Sequence, residues 1–221
     1  MPRAALLFVL LLLVPAGGAA AQRGGYDYNN LALRGVGVFG FGVVPARSEP
    51  TLGLQLRGDL GLLGPQVRIA PTVTFWATRL QQEEVGKVAR RVEDLCERGG
   101  DPCPGVELGE VRLSDLSLDV DAHYLWTTAF GIEPYAGLGA GLHLVNGAGD
   151  FIDNTFVEEI LDAITPGLNA MAGLELPIRR NLRLHGEARA VLAGGANWIG
   201  VGVGGTFTFP QPRERAAGVR P

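Results

Sequence analysis

Three histidines are the side chains of this sequence best suited to acid–base or metal chemistry. They are His123, His143 and His185. Carboxylates lie close to them in sequence, such as Asp121 beside His123 and Glu187 beside His185. An imidazole next to a carboxylate can serve as a general base or as a metal ligand. Because each histidine stands alone within a set of charged residues, we interpret all three as structural members of a charge network.

A nucleophilic enzyme would also need a serine or cysteine within reach of a histidine. The chain has three serines, and the two in the segment of His123 are Ser114 and Ser117. Neither pairs with a histidine on that strand, and the sequence has no phosphate-cradling loop, zinc-ligand spacing or nucleophile elbow. We therefore predict no catalytic residue, no metal site and no cofactor.

The N-terminal segment has the layout of a secretory signal peptide. Arg3 precedes an apolar run over residues 4–14, Pro15 breaks it, and alanines 19–21 supply small residues before a cleavage site. The run has about half the ~20 residues that a membrane-spanning helix requires, which disfavours an anchor. We predict that residues 1–21 are removed on export. In an exported chain Cys96 and Cys103 are then expected to form a local disulfide.

Composition narrows the fold of the remaining chain. The 221 residues include 33 glycines, 47% are hydrophobic, 19% are charged, and the net charge is −4. That much apolar surface excludes a disordered polyelectrolyte, and so many glycines disfavour a helical bundle. The acidic balance argues against a nucleic-acid partner.

Eight segments alternate apolar and polar residues with a period of two, which predicts eight β-strands. They span residues 31–43, 52–62, 67–77, 111–126, 132–145, 168–176, 182–190 and 198–209. Most are about ten residues long, the length of a tilted strand that crosses a bilayer. In the first segment we assign Phe39, Phe41 and Val43 to the outward face. Aromatic residues near strand ends, including Trp76 and Trp126, suggest interfacial girdles.

Connections between these segments sort by length. Residues 64–66, 127–131 and 177–181 form tight turns, whereas residues 81–110 and 146–166 form long loops on the opposite rim. Periodicity predicts a helix over residues 81–95 and a second one over 156–164, which we interpret as loop helices folded over the rim or, alternatively, as a lid or a partner-docking surface. This arrangement is that of an up-and-down barrel with short periplasmic turns and long external loops.

The polar faces of the strands carry charges of both signs in nearly equal number, which predicts a plugged lumen crossed by ion pairs. A soluble sandwich with one wet face is the alternative. The predicted lumen network comprises Arg34, Arg57, Asp59, Arg68, Asp119, Asp121, His123, Glu133, His143, Glu175, Arg183, His185, Glu187 and Arg189. Inward glycines such as Gly139 and Gly202 are expected to leave room for the large side chains.

Three stretches, residues 134–143, 167–177 and 181–189, resemble the small eight-stranded outer-membrane barrels of the OmpA/OmpX type. Gly204, Phe207 and Phe209 resemble the C-terminal signal of such chains, although this sequence continues past Phe209. The resemblance implies an all-β, antiparallel, up-and-down transmembrane barrel over residues 22–209, with residues 210–221 as a flexible tail.

The same resemblance implies a monomer in the outer membrane of a diderm bacterium, after export. It also implies two kinds of partner: outer-membrane lipid, and the barrel-assembly machinery during biogenesis. We expect a non-enzymatic barrel with a structural or surface-interaction role, whose external loops contact a partner that the sequence does not identify. The alternatives are a lipid-modifying barrel enzyme and a narrow solute channel.

Overall fold

The computed structural model describes residues 26–99, 109–128, 131–148 and 163–210. The predicted signal peptide, Cys103, most of the predicted 156–164 helix and the tail from residue 211 lie outside this range. No helix within it is long and apolar enough to cross a membrane.

Eight antiparallel strands close into a single barrel in which every strand pairs with its sequence neighbours and β1 pairs with β8. The strands are β1 (Gly35–Pro45), β2 (Thr51–Asp59), β3 (Val67–Arg79), β4 (Arg112–Leu125), β5 (Glu133–Ala148), β6 (Ala163–Arg179), β7 (Leu182–Ala193) and β8 (Trp198–Thr208). The predicted eight-stranded up-and-down barrel is confirmed. Because the sheet closes, it has no unpaired edge along its length.

Strand pairing places the connections as their lengths predicted. The β2–β3, β4–β5 and β6–β7 turns lie at one end, which we call the short-turn end, and the other connections lie at the long-loop end. Helix α1 (Gln82–Gly99) follows β3 at the long-loop end and confirms the helix predicted from residue 81. The predicted second helix is wrong at its end, because Ala163 and Ile164 belong to β6 and pair with Val145 and Leu144.

Side chains alternate strictly between the barrel interior and its outer surface. In β4 the inward positions are buried while Leu116, Leu118 and Val120 are exposed. The outer surface is mainly apolar, and the interior contains most of the charged residues of the described strands. This inverts a soluble barrel and matches a wall that faces lipid.

The orientation of β1 differs from the prediction. Phe39, Phe41 and Val43 point inward and are buried, whereas Val36 and Val38 point outward. Both faces of this glycine-rich strand are apolar, so its periodicity does not reveal which one faces lipid. The neighbouring β8 decides, because its inward glycines leave space for the two phenyl rings.

Trp76 also departs from the predicted aromatic girdle. Its indole lies inside the barrel at 1% exposure, whereas its sequence neighbour Phe75 is half exposed on the outer wall. Tyr124 and Trp126 do lie on the outside near the short-turn end, with ring centroids 5.1 Å apart. The aromatic positions are therefore divided between the wall and the core by the alternation of each strand.

Candidate functional site: the barrel interior

Two arginines and two carboxylates form a continuous buried chain across the interior. Arg57 pairs with Glu187, whose second oxygen accepts a 3.0 Å hydrogen bond from Nε of Arg189. Nη2 of Arg189 donates to Oδ2 of Asp121 at 2.6 Å. The hydroxyl of Tyr135 donates to Glu187 at 2.7 Å. These contacts join β2, β7, β4 and β5, so the charges tie together strands that are not neighbours in the barrel wall.

Glu175 is the centre of a second group. Its carboxylate lies 2.8 Å from Nη2 of Arg68 and 2.6 Å from Nη1 of Arg183. Nδ1 of His185 lies 3.5 Å from the same carboxylate. Glu175 and Arg68 are buried, while Arg183 is partly exposed. Two guanidinium groups therefore share one carboxylate near the short-turn end.

A third group surrounds His143 and includes Asp115, Ser117 and Asn169, which are not members of the predicted lumen network. Nδ1 of His143 lies 2.9 Å from Oδ2 of Asp115. Ser117 donates a 2.8 Å hydrogen bond to Asp119, which also accepts a 3.1 Å bond from the amide of Asn169. Asp115 has the same strand parity as Asp119, so alternation alone was sufficient to place it inside.

The register brings a serine next to a histidine across two strands, a case that the same-strand prediction did not cover. Ser117 on β4 lies directly opposite His143 on β5, and Oδ2 of Asp115 lies 2.9 Å from Nδ1 of that histidine. This places an acid, a histidine and a serine side by side. However, the hydroxyl of Ser117 donates to Asp119, and all of these side chains are buried inside the barrel.

His123 and His185 make ring contacts in the interior. His123 stacks on Tyr135 with centroids 5.1 Å apart, and its Nε2 is 3.8 Å from Asp121. His185 lies against Phe39 at 5.2 Å. Within the described residues, no group of three or more His, Cys, Asp or Glu side chains has the geometry to hold a metal ion.

The structure separates three members of the predicted network from the buried ion pairs. Arg34 donates to the carbonyl of Asn30 at 2.9 Å, and Asp59 accepts a 2.7 Å bond from the amide of Gly61. Gly61 has a φ of 81°, and this left-handed turn ends β2 at Asp59 rather than at the predicted residue 62. Together with Glu133, Arg34 and Asp59 line a recess of about 620 Å³ at the short-turn end.

Glycines opposite the charged residues make this interior possible. A Cβ added at Gly139 would overlap the carboxylate of Asp121, and one at Gly141 would overlap that of Asp119. A Cβ at Gly204 would lie 2.5 Å from the ring of Phe39. A narrow eight-stranded barrel therefore accommodates bulky charged and aromatic groups by leaving the facing wall without side chains.

An apolar cluster fills the interior at the long-loop end. Its members are Phe39, Phe41, Val43, Trp76, Leu80, Val85, Val111, Leu113, Val145, Val191, Ala193, Ala196 and Trp198. Val85 belongs to α1, and Ala89 of the same helix packs against the cluster. The start of α1 is held by Gln81, whose side-chain amide donates to the carbonyl of Ser48 at 3.0 Å. The helix thus covers this end of the barrel, as expected of a loop helix folded over the rim.

We expect Val85→Asp to release α1 from the apolar cluster, because a carboxylate buried there has no partner. In a Trp126→Phe background, quenching of Trp76 and Trp198 by aqueous acrylamide should rise several-fold. The exposed neighbour Gln82→Asp is the matched control and should leave quenching unchanged. Equal quenching in Val85→Asp and the parent would show that α1 does not shield the cluster.

Comparison with known proteins rests on structure alone, since no protein-family model and no curated protein matches the sequence. The crystal structure of Neisserial surface protein A superposes with a TM-score of 0.51 at 14% identity, covering 80% of this chain and 98% of that one. The chain has the fold of the small eight-stranded outer-membrane β-barrels.

Two further outer-membrane barrels align over similar lengths with lower scores. The N-terminal β-barrel domain of OprF from Pseudomonas aeruginosa gives a TM-score of 0.45 at 15% identity, covering 80% of this chain and 98% of that one. A major outer membrane protein from Thermus thermophilus gives 0.48 at 13%, covering 80% and 100%. The similarity to Neisserial surface protein A, at 14% identity, shows the fold alone, and function must be argued from the side chains.

Proposed function

We propose that this chain is a non-enzymatic integral outer-membrane barrel with a closed, ion-paired lumen. The observation that carries the proposal is the inverted distribution of side chains. Leu52 is 81% exposed and Leu138 is 71% exposed on the outer wall, whereas Glu175 and Asp121 are fully buried inside. Such a surface is stable only where lipid covers it, since an exposed apolar wall of this size would aggregate in water.

The interior supports a structural role over transport. Arg57, Glu187, Arg189 and Asp121 are each 3% exposed or less and occupy the lumen as one hydrogen-bonded chain. Beyond them the apolar cluster and α1 cover the long-loop end. A solute crossing the barrel would have to displace both layers.

For export, assembly and orientation in the membrane, we propose what the sequence predicts. Residues 1–21 direct export, the C-terminal strand with Phe207 and Phe209 is the signal read by the barrel-assembly machinery, and the barrel is monomeric. The long loops, including α1 and a disulfide between Cys96 and Cys103, then face the exterior and present the surface available to a partner.

We expect refolded protein to show heat-modifiable gel mobility and no unitary conductance steps in planar bilayers. A matched positive control is Arg189→Ala/Glu187→Ala combined with Val85→Asp, which removes both the central ion pairs and the α1 contact. Sustained openings of the parent protein at moderate voltage would overturn the closed-lumen proposal. Recovery of folded protein in the soluble fraction without detergent would overturn membrane insertion itself.

One observation favours a lipid-modifying enzyme as a second candidate, namely the alignment of Asp115, His143 and Ser117. Against it, Ser117 is 2% exposed and His143 is fully buried. Turnover of phospholipid or lipid A by the refolded protein, abolished in Ser117→Ala and His143→Ala variants of equal heat-modifiability, would establish the enzyme. Absence of turnover would remove it.

A further inference from the structure

We propose that Arg79 and Arg112 form a binding site on the outer wall for the phosphate group of an outer-leaflet lipid. The proposal rests on the membrane-spanning function above. Its ligand is the phosphate monoester of a lipid headgroup, and its location is the β3–β4 wall at the long-loop end.

The two arginines are direct cross-strand partners. Arg79 is the last residue of β3 and Arg112 the first residue of β4, and the register pairs them. Both side chains follow the outward alternation of their strands, in line with Phe75 on β3 and Leu116 on β4. Their guanidinium groups are therefore presented side by side to whatever surrounds the barrel.

Like charges directly opposite one another destabilise a sheet unless an anion lies between them. Glu110 supplies part of that compensation, since its carboxylate lies 3.2 Å from Nη1 of Arg79 with both groups more than half exposed. In the described part of the chain Arg112 has no ion pair. The pair thus retains a net positive charge that a second anion would neutralise.

This charge is unusual for the wall. Among charged residues of the eight strands as described, the exposed ones are Arg79, Arg112 and Arg179. All three are arginines, all lie at strand ends, and only the first two are neighbours. An outer wall that excludes carboxylates and keeps paired guanidinium groups at one end is complementary to an anionic headgroup layer.

The position of the pair along the barrel fits that layer. Arg112 and Tyr124 are twelve positions apart on β4, which at the tilt of such strands spans roughly 30 Å along the barrel axis. Outward residues between them, including Leu116, Leu118 and Val120, are apolar. Tyr124 and Trp126 mark one interface, so Arg79 and Arg112 lie at the other. Long loops face outward in such barrels, which assigns the arginines to the outer leaflet.

Arginine is suited to this ligand because its planar fork binds phosphate oxygens in a bidentate manner. Two adjacent forks can donate to all three unesterified oxygens of a phosphate monoester, whereas a phosphodiester presents only two. A lipid that carries a phosphate monoester therefore fits the site better than phosphatidylglycerol, whose phosphate is a diester. Zwitterionic lipid fits the site least.

The test uses the full mature chain in nanodiscs of phosphatidylcholine containing 5 mol% lipid A, a phosphorylated outer-leaflet lipid, and native mass spectrometry to count retained lipid. The double variant Arg79→Gln/Arg112→Gln should lose lipid A retention by roughly 25-fold, about fivefold for each arginine. Arg79→Lys/Arg112→Lys should keep most of it. Arg180→Gln, exposed at the short-turn end, is the matched control and should retain lipid A as the parent does.

Three results would overturn the site. These are unchanged retention in the double glutamine variant, equal loss in Arg180→Gln, and competition of lipid A retention by millimolar inorganic phosphate, which would make free phosphate the ligand. Heat-modifiability in pure phosphatidylcholine tests the membrane barrel separately from the lipid-phosphate site. A variant that folds there but does not retain lipid A supports the site, whereas a parent chain that does not fold there refutes the membrane barrel.

Discussion

Glu187→Gln should lower the free energy of unfolding of the refolded barrel by about 3–5 kcal/mol, because it leaves two buried guanidinium groups short of one charge. Glu187 is the shared partner of Arg57 and Arg189 and also accepts from Tyr135. After the substitution, Asp121 is the one carboxylate of the described residues that remains within hydrogen-bond distance of Arg57 or Arg189. Urea unfolding in micelles, followed by gel mobility and by tryptophan fluorescence, measures the loss.

Glu133→Gln is the matched control for that experiment. Glu133 lines the open recess at the short-turn end and has no ion pair in the described structure. Its removal should change stability by less than about 1 kcal/mol, as for other solvent-accessible charges. If the two variants proved equally stable, the buried ion pairs would not contribute to holding the barrel together.

Gly204→Ala should destabilise the barrel by about 1–3 kcal/mol through overpacking. A methyl group at this position lies 2.5 Å from both the ring of Phe39 and the carbonyl oxygen of Val38. The ring has little room to shift, because the guanidinium carbon of Arg57 is 4.1 Å from its centroid and the His185 ring centroid is 5.2 Å away. The backbone carbonyl cannot move without disturbing the β1–β8 pairing that closes the barrel. Equilibrium unfolding in the same micelles measures the effect.

Gly186→Ala provides the comparison on the adjacent strand. Gly186 faces outward on β7, and a Cβ there meets nothing within 4 Å. The added methyl group enters open space on the lipid-facing wall and reduces the freedom of the unfolded chain, so stability should be unchanged or up to about 1 kcal/mol higher. Similar destabilisation by both substitutions would mean that strand flexibility, and not the Phe39 contact, requires glycine at position 204.

Alternation was sufficient to predict the barrel and most of its interior. In β7 the polar face of Arg183, His185, Glu187 and Arg189 contrasts with an apolar face, so a period of two assigns each residue to one side. Connection lengths then sorted the two ends without any tertiary information. The same alternation places Asp115 inside the barrel, although Asp115 was not among the predicted lumen residues.

Other features were decided only by the closed barrel. The inward turn of Phe39 and Phe41 depends on glycines of β8, which are adjacent to β1 only after closure. Arg57 and Glu187 are 130 positions apart, and their pairing depends on the stagger of strands around the barrel, which hydrophobic periodicity does not encode. The sequence by itself determined which side chains face the interior wherever one face of a strand is polar. Tertiary structure alone decided which charges meet and that Arg34 and Glu133 lie apart from the buried ion pairs, because both depend on distances between residues remote in the chain.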